Sequence, residues 1–408
     1  MSLKHTISIE DFGEKQFQIK LIEEVEDKAI LTHYLNNFKN GIKKHYQKEA
    51  LNTLKQFIKY KQKESEISIV AEDALQQLLF EVENVPFPTP KNYTFKFIDL
   101  FAGIGGFRLA LQNIGGKCIY TSEWNNDAKK TYRENFGEIP FGDITKERNK
   151  NYIPDNFDIL CAGFPCQAFS IAGYQKGFAD IRGTLFFDIE QIVEKHKPKV
   201  VFLENVKNLI SHNNGNTFKT IVDILETKLK YKVFYKVLNS ATHANIPQNR
   251  ERVFIVAFDP MQVKNYSKFE FPKPIKLTKT IHDCLEKGKQ LDNYYYSQTH
   301  PYYAELEKTI ISKDTVYQWR RVYARENKSN LCPTLTANMG AGGHNVPLIK
   351  DNFGIRKLTP KECFAFQGYP IEKYILPPIA NSKLYMQAGN SVTTTLIERI
   401  ATQIKNVL

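Results

Sequence analysis

Several features are missing from this chain of 408 residues, and each absence removes a class of protein. No apolar run approaches the roughly 20 residues that a membrane-spanning helix needs, and the polar start MSLKHTISIE does not read as a secretory leader. The expectation is a cytoplasmic protein with no membrane partner. Cysteine is sparse: six residues, at 118, 161, 166, 284, 332 and 363, form no C-x-x-C pair and have no histidine at zinc-like spacing. A disulfide framework and a bound metal are therefore not expected. Arginine is absent from residues 1–93, where 13 Lys stand against 14 acidic side chains, a net charge of −1. The whole chain carries +12, so the remainder holds +13 and the basic excess lies wholly beyond residue 93. That excess points to a polyanion such as nucleic acid, the plain alternative being a merely basic surface.

With 42% hydrophobic and 25% charged residues the chain has globular composition. Residues from about 27 to 83 read as helical, with Leu51, Leu54 and Ile58, then Ala74, Leu75, Leu78 and Leu79, at helical spacing. The three prolines of VPFPTPKNY then mark a linker. After it, short β-rich runs (TFKFIDLF, KCIYTSE, FDILCAG, PKVVFLEN) alternate with amphipathic helices, which predicts an α/β fold with a parallel sheet covered on both faces. YKVFYKVLNS and ERVFIVAF read as further strands of that sheet. Between about 260 and 355 periodicity dissolves into Lys, Tyr, Pro and Gly, which suggests a smaller irregular domain. TPKECFAFQG and TTTLIERIATQIKNVL are helical again.

The first chemical feature is FIDLFAGIGGF, a strand, a glycine-rich turn and then a helix. Gly103, Gly105 and Gly106 allow close approach of a ligand, and the helix start favours an anionic group. It is neither G-x-G-x-x-G, because Arg108 stands in the third glycine's place, nor a P-loop, so a simple tight turn remains open. Glu123 follows Gly103 by 20 residues, the spacing of the acid that binds ribose hydroxyls in nucleotide folds. Trp124 beside it can pack on an adenine, and Asp143 can accept from the adenine amino group. A nucleoside cofactor without a pyrophosphate fits best. Cys166, in CAGFPCQAFS, follows a strand at the carboxyl edge of the sheet, where open α/β folds bind ligands. Cys161, inside the strand, reads as structural. Cys166 sits in a loop stiffened by Pro165 and made polar by Gln167 and Ser170, and reads as a nucleophile. VVFLEN ends with Glu204 at the same edge, and QNRER places Gln248, Arg250 and Arg252 at period two, hence on one face.

In their order and separations DLFAGIGGF, GFPCQ, RGTLFFDI, ENV, QNRER and QAGNSV resemble the motifs of the DNA cytosine-5 methyltransferase family, close to its short bacterial restriction-modification members. The resemblance spans about residues 94–258 and 356–408. It implies a Rossmann-like, S-adenosylmethionine-dependent methyltransferase domain over 94–259 and 356–408, a target-recognition domain over 260–355, and an N-terminal helical extension with a linker over 1–93. The implied reaction moves a methyl group from S-adenosylmethionine to carbon 5 of a cytosine flipped out of duplex DNA.

The resemblance also assigns roles. Cys166 adds to carbon 6, Glu204 serves ring N3 and the exocyclic amine, Arg250 and Arg252 orient the ring carbonyl and the nucleotide's phosphate, and Gln248 supports the loop. Phe101, Gly103, Ile104, Gly105, Gly106, Glu123, Trp124, Asp143, Ile144, Pro165 and Leu185 line the cofactor pocket, joined by Asn390, Ser391 and Val392. The expected DNA contacts are Gln167 and Ser170, the arginines Arg320, Arg321 and Arg325 of VYQWRRVYAREN, and Thr334, Thr336, Gly340, Gly342 and Gly343 of CPTLTANMGAGGHN. For the latter two stretches a basic surface and a flexible turn are the competing readings. The expected partners are double-stranded DNA, carrying a short G·C-rich palindrome, and a cognate restriction endonuclease; the expected state is a monomer. Two other functions stay open: the tRNA-acting branch of the family, whose CFT signature is missing here, and a catalytically inactive DNA-binding regulator.

Overall fold

The computed structural model describes residues 5–12, 15–21, 25–39, 41–64, 83–165, 185–320, 322–341 and 346–408. The chain opens with an antiparallel hairpin, β1 (His5–Phe12) and β2 (Lys15–Leu21), followed by helices α1 (Val25–Asn36) and α2 (Lys43–Glu64). Next come β3 (Phe95–Leu100), α3 (Gly106–Asn113), β4 (Gly116–Ser122), α4 (Asn126–Phe136), the short α5 (Glu147–Lys150) and β5 (Ile159–Gly163). The sheet continues through α6 (Leu185–His196), β6 (Val200–Val206), α7 (Asn216–Asp223), β7 (Lys232–Asn239), the single turn α8 (Ser240–His243), β8 (Gln248–Asn249) and β9 (Glu251–Phe258).

Six strands form the central sheet in the order β4-β3-β5-β6-β9-β7. The four on the β4 side run parallel, whereas β9 is antiparallel to both β6 and β7. The parallel strands are near-continuous apolar runs because both of their faces are covered. Ile98, Leu100, Leu160 and Leu203 face a core with Ile189 and Val193 of α6, while Phe97, Cys161 and Phe202 face Leu111 of α3 and Ile397 and Ile400 of the C-terminal helix. Strand β9 departs from the expected parallel direction because only α8 and a short loop connect it to β7. A parallel return needs a crossover of a dozen or more residues, usually helical.

Between the sheet and the C-terminus lie α9 (Tyr303–Thr309), β10 (Tyr317–Arg320), β11 (Tyr323–Glu326), β12 (Cys332–Pro333), β13 (Leu348–Lys350) and β14 (Ile355–Lys357). Four of these strands make a second, antiparallel sheet in the order β11-β10-β13-β14. At three or four residues each they are too short to show alternation in sequence, so this region read as irregular. Strand β12 pairs in parallel with β8, which ties the region to the central body. Helices α10 (Pro360–Ala365), α11 (Asn381–Asn390) and α12 (Thr394–Lys405) complete the chain, and α12 returns to pack beside α3.

Helices α1 and α2 cover the β4 edge of the sheet, with Ile30, Leu31, Tyr34, Tyr46 and Ala50 joining the same core as Ile119 and Tyr120. The N-terminal segment, which lies beyond the motif-bearing sequence, is thus continuous with the body in packing. Residues 5–21 form a hairpin where the sequence reading had only a helical extension. Ala74, Leu75, Leu78 and Leu79 lie outside the described residues. Among the described residues no helix is long and apolar enough to cross a membrane.

Candidate active site at the carboxyl edge of the sheet

The glycine turn after β3 uses left-handed backbone at Phe101 (φ 55°), Gly103 (φ 55°) and Gly105 (φ 84°). For Phe101 this conformation costs on the order of 1 kcal/mol or more, which the surrounding packing must offset. Glu123, at the end of β4, holds the turn: Gly103 N–H donates to Oε2 at 2.8 Å and Asn125 N–H to Oε1 at 2.6 Å. Burial pushes the Glu123 carboxyl up, against the pull of those hydrogen bonds. Beside it Trp124 leaves its indole 76% exposed, unusual for so large an apolar ring. Asp143 is half-buried and accepts from Thr145 N–H at 3.0 Å, and Ile144 is buried.

The C-terminal segment closes over this turn. A Cβ on Gly106 would lie 2.6 Å from Val392 Cγ2 and 2.9 Å from the Tyr369 hydroxyl, so only glycine fits there. The Ser391 and Tyr369 hydroxyls are 2.7 Å apart, and Tyr374 O–H donates to the carbonyl of buried Ile104 at 2.5 Å. Gly106, Ser391 and Val392 are therefore brought together from opposite ends of the fold. Asn390 is exposed at the end of α11, Leu185 is half-buried at the start of α6, and Pro165 is exposed after β5.

Glu204 sits near the end of β6, in register with Gly163 at the end of β5. Its carboxyl is ion-paired to Arg252 Nε at 3.1 Å. Burial pushes the Glu204 carboxyl up, outweighing Arg252 and Arg250, so it keeps its proton to a higher pH than an ordinary glutamate. Next to it Asn205 Nδ2 donates to the Phe164 carbonyl at 2.8 Å and fixes the main chain just after β5. Cys166, Gln167 and Ser170 lie outside the described residues. The other five cysteines are buried. Burial pushes the thiols of Cys118, Cys161, Cys332 and Cys363 well up and that of Cys284 to about 12. None of these five is suited to form a thiolate.

Gln248, Arg250 and Arg252 do not act on one face as their period-two spacing suggested. The strand is interrupted: Gln248 belongs to β8, Arg252 to β9, and Arg250 stands between them. Only Arg252 reaches Glu204. Buried Arg250 donates from Nη1 to the Leu335 carbonyl at 2.9 Å and from Nη2 to the carbonyls of Gly389 at 3.1 Å and Ser391 at 2.6 Å. Burial among neutral carbonyls, with Arg252 nearby, pulls its pKa down to about 9. Gln248 donates to the Phe366 carbonyl at 2.5 Å and accepts from Leu335 N–H at 3.2 Å. Both side chains brace the segments around the site.

The hairpin of β10 and β11 sorts its side chains by face. Tyr317 and Trp319 are buried beneath it, while Arg320 and Arg325 are exposed, with Gln318 Oε1 accepting from Arg320 Nη2 at 2.9 Å and Arg325 Nη2 at 3.5 Å. Thr334 donates to the Asn249 carbonyl at 2.6 Å and Thr336 to Asn338 at 2.8 Å. Gly340 (φ +82°) has no room for a side chain, because a Cβ would lie 2.7 Å from Tyr385. Arg321, Gly342 and Gly343 lie outside the described residues.

Sequence reading missed several contributors. Asn205 stood inside a quoted motif without a role, and Arg108 had been noted only for displacing a glycine. Arg108 is fully buried and donates to Glu138 at 2.6 Å and to Tyr132 at 3.0 Å. Gln367, which donates to the Ala388 carbonyl at 2.7 Å, left no signal in the sequence.

A family model described as C-5 cytosine-specific DNA methylase matches residues 95–406. The Type II methyltransferase M.Bsp6I of Bacillus sp. (strain RFL6) is 50% identical over 309 residues, 75% of this chain and 96% of that protein. M.HpaII of Haemophilus parainfluenzae, also a Type II methyltransferase, is 42% identical over 349 residues, 83% of this chain and 96% of its own. In fold the chain is similar to the Dnmt2 methyltransferase of S. pombe, with a TM-score of 0.57 at 17% identity over 76% of this chain and 98% of that one. The glycine turn, the acid at the end of β6 and the returning C-terminal segment thus belong to a DNA (cytosine-5) methyltransferase: the chain is a member of the C-5 cytosine-specific DNA methylase family.

Proposed function

We propose that the protein methylates carbon 5 of one cytosine in a short duplex site, as the modification half of a restriction-modification system, with Cys166 as its nucleophile. The observation that carries this reading is Glu204: a buried carboxyl pushed up by its surroundings, paired to Arg252, and in register with Gly163 three residues before Cys166. The residues of the glycine turn fit S-adenosylmethionine. Each Glu123 oxygen accepts one main-chain N–H and keeps a lone pair for a vicinal hydroxyl. Trp124 offers an exposed aromatic face, and at Gly103 the space a side chain would take is open. The donor supplies an electrophilic methyl group. Residues 94–259 with 356–408 form the catalytic part in this reading, and residues 260–355 the target-recognition part.

The chemistry assigned to the side chains follows from the substrate. Carbon 5 of cytosine is a weak nucleophile, and the base must leave the duplex stack to be reached. The Cys166 thiolate forms a bond to carbon 6, and electron density moves through the ring toward carbon 5 and N3. Glu204, carrying its proton, donates to N3, while Arg252 holds the Glu204 carboxyl in place. Carbon 5 takes up the methyl group with S-adenosylhomocysteine as the leaving group; its hydrogen then leaves as a proton, N3 returns its proton to Glu204, and the electron pair released at carbon 5 re-forms the ring double bond as the sulfur–carbon 6 bond breaks and frees the Cys166 thiolate.

Fluorine at carbon 5 cannot leave as a cation. Duplex DNA with 5-fluorocytosine at the target, incubated with S-adenosylmethionine, should therefore form a denaturation-resistant complex with the wild-type protein. Cys166→Ala should form none, and Cys161→Ala should still be trapped. Trapping that survives loss of Cys166, or a wild-type enzyme that methylates ordinary DNA and is never trapped, would rule out this mechanism.

A further inference from the structure

Residues 1–93 lie outside the family match, which begins at residue 95, yet α1 and α2 make specific polar contacts with one stretch of the body. An edge strand presents unpaired backbone groups on its outer side. On β4 those groups belong to Ile119, Thr121 and Glu123. The Ile119 carbonyl accepts from Tyr46 O–H at 2.8 Å, and Thr121 N–H donates to His33 Nε2 at 3.1 Å. The Thr121 carbonyl accepts from Phe141 N–H, and Glu123 N–H donates to the Phe141 carbonyl, both at 2.9 Å. Phe141 is itself packed on the His33 ring, with centroids 4.5 Å apart.

The same helix fixes the loop between α4 and Phe141. Ile139 N–H donates to Thr32 Oγ1 at 3.0 Å, and Asn36 Nδ2 donates to Glu138 Oε2 at 3.0 Å. Glu138 is fully buried, and Arg108 beside it holds its carboxyl below the ordinary range. Because Arg108 belongs to α3, this cluster also reaches the helix that follows the glycine turn. His33 donates from Nδ1 to the Ala29 carbonyl at 2.8 Å, and burial pulls its pKa down, so Nε2 is left as the acceptor that Thr121 requires.

The residues held in this way immediately precede Glu123 and Trp124 on one side and Asp143 and Ile144 on the other. Both pairs belong to the cofactor pocket in the reading above. We infer that helices α1 and α2 are a positioning element for the nucleoside end of the methyl donor, with His33, Tyr46 and Thr32 as the residues that transmit it. This rests on the assignment of that pocket to S-adenosylmethionine. A segment that only stabilised the fold would have no reason to spend its polar contacts on the two strand ends that carry the pocket, and one that read DNA would bear them at the recognition hairpin.

The test uses the full chain and calorimetric binding of S-adenosylhomocysteine to the DNA-free protein. Tyr46→Phe removes one oxygen, Thr32→Val one acceptor, and His33→Ala the acceptor for Thr121. Each should raise the dissociation constant about fivefold, the effect of one net hydrogen bond, and raise KM for S-adenosylmethionine in step. The kcat at saturating donor, DNA affinity and the methylated site should not change. His33→Gln, which restores an acceptor, should recover binding, and Lys39→Gln, which breaks an exposed ion pair of the same segment with Glu83, should be without effect. Lower melting temperature with unchanged homocysteine-product affinity would overturn the inference, as would a shift in DNA affinity or site. Wild-type protein that fails to bind the probe at all would instead refute the pocket assignment, which separates the two failures.

Discussion

The carboxyl edge of the central sheet and the β10–β11 hairpin both present arginines, but under opposite conditions. At the sheet edge Arg252 is paired with buried Glu204 and Arg250 is engaged by three carbonyls. On the hairpin Arg320 and Arg325 are exposed and, among the described residues, share the neutral Gln318. Chemistry requires groups whose charge and position are settled before the substrate arrives. Readout requires donors that complete their bonding on the partner. Burial and internal partners at one region, and exposed donors at the other, match the roles proposed for them.

The largest test of the division is Glu204→Gln, which keeps shape and removes the titrating proton. Loss of a positioned general acid should cost about 10²–10⁴ in kcat, with DNA affinity nearly intact. Because the Glu204 carboxyl is pushed up and acts in its protonated form in the proposed mechanism, the wild-type rate should fall as pH rises through that raised pKa. The variant should lack this limb in its pH profile. If Glu204→Gln kept the limb, another group would be the acid. A smaller effect is expected on the other side of the comparison. Arg320→Ala and Arg325→Ala should each lower the salt dependence of DNA binding by about one unit of slope, with kcat at saturating DNA unchanged. A fall in kcat without a change in slope would place the hairpin among the chemical groups and erase the distinction.

The smallest effect concerns a buried group at the edge that has no settled partner. Asp99, in β3, is fully buried, and neither of its oxygens has a hydrogen-bond partner among the described residues. Burial pushes it up to about 8 despite Arg108. A carboxyl raised in the folded state contributes its stability below its ordinary value, near 3.8, and loses it as pH rises toward 8. Asp99→Asn should therefore gain in melting temperature relative to wild type across that interval, by about a few degrees at the upper end. Parallel melting curves at pH 5 and pH 8 would show that Asp99 is already neutralised by a partner.

Legibility in the sequence followed the same line. The strands of the central sheet were readable because long apolar runs buried on both faces leave a strong pattern, and the glycine turn, Glu123 and Glu204 were readable because polar residues ending such runs stand out. The antiparallel direction of β9 was not readable, since direction depends on the connection and not on the strand. Arg250 and Arg252 looked equivalent at period two, yet a break between β8 and β9 gives them different partners. The small sheet escaped notice because strands such as Leu348–Lys350 are shorter than one full alternation. The contacts of His33 and Tyr46 with β4 join residues more than 70 positions apart, which no local pattern encodes.

Gly389 ends on a backbone surface: a Cβ there would lie 2.2 Å from the main-chain carbon and oxygen of Thr336. Together with the β8–β12 pairing and the Arg250 bond to Leu335, this seats residues 332–336 against the central body although they fall within the stretch, 260–355, proposed for target recognition. An exchange of residues 260–355 would therefore have to keep residues 332–336 of this chain, since replacing them would set a foreign backbone against Gly389 and remove the carbonyl that Arg250 holds.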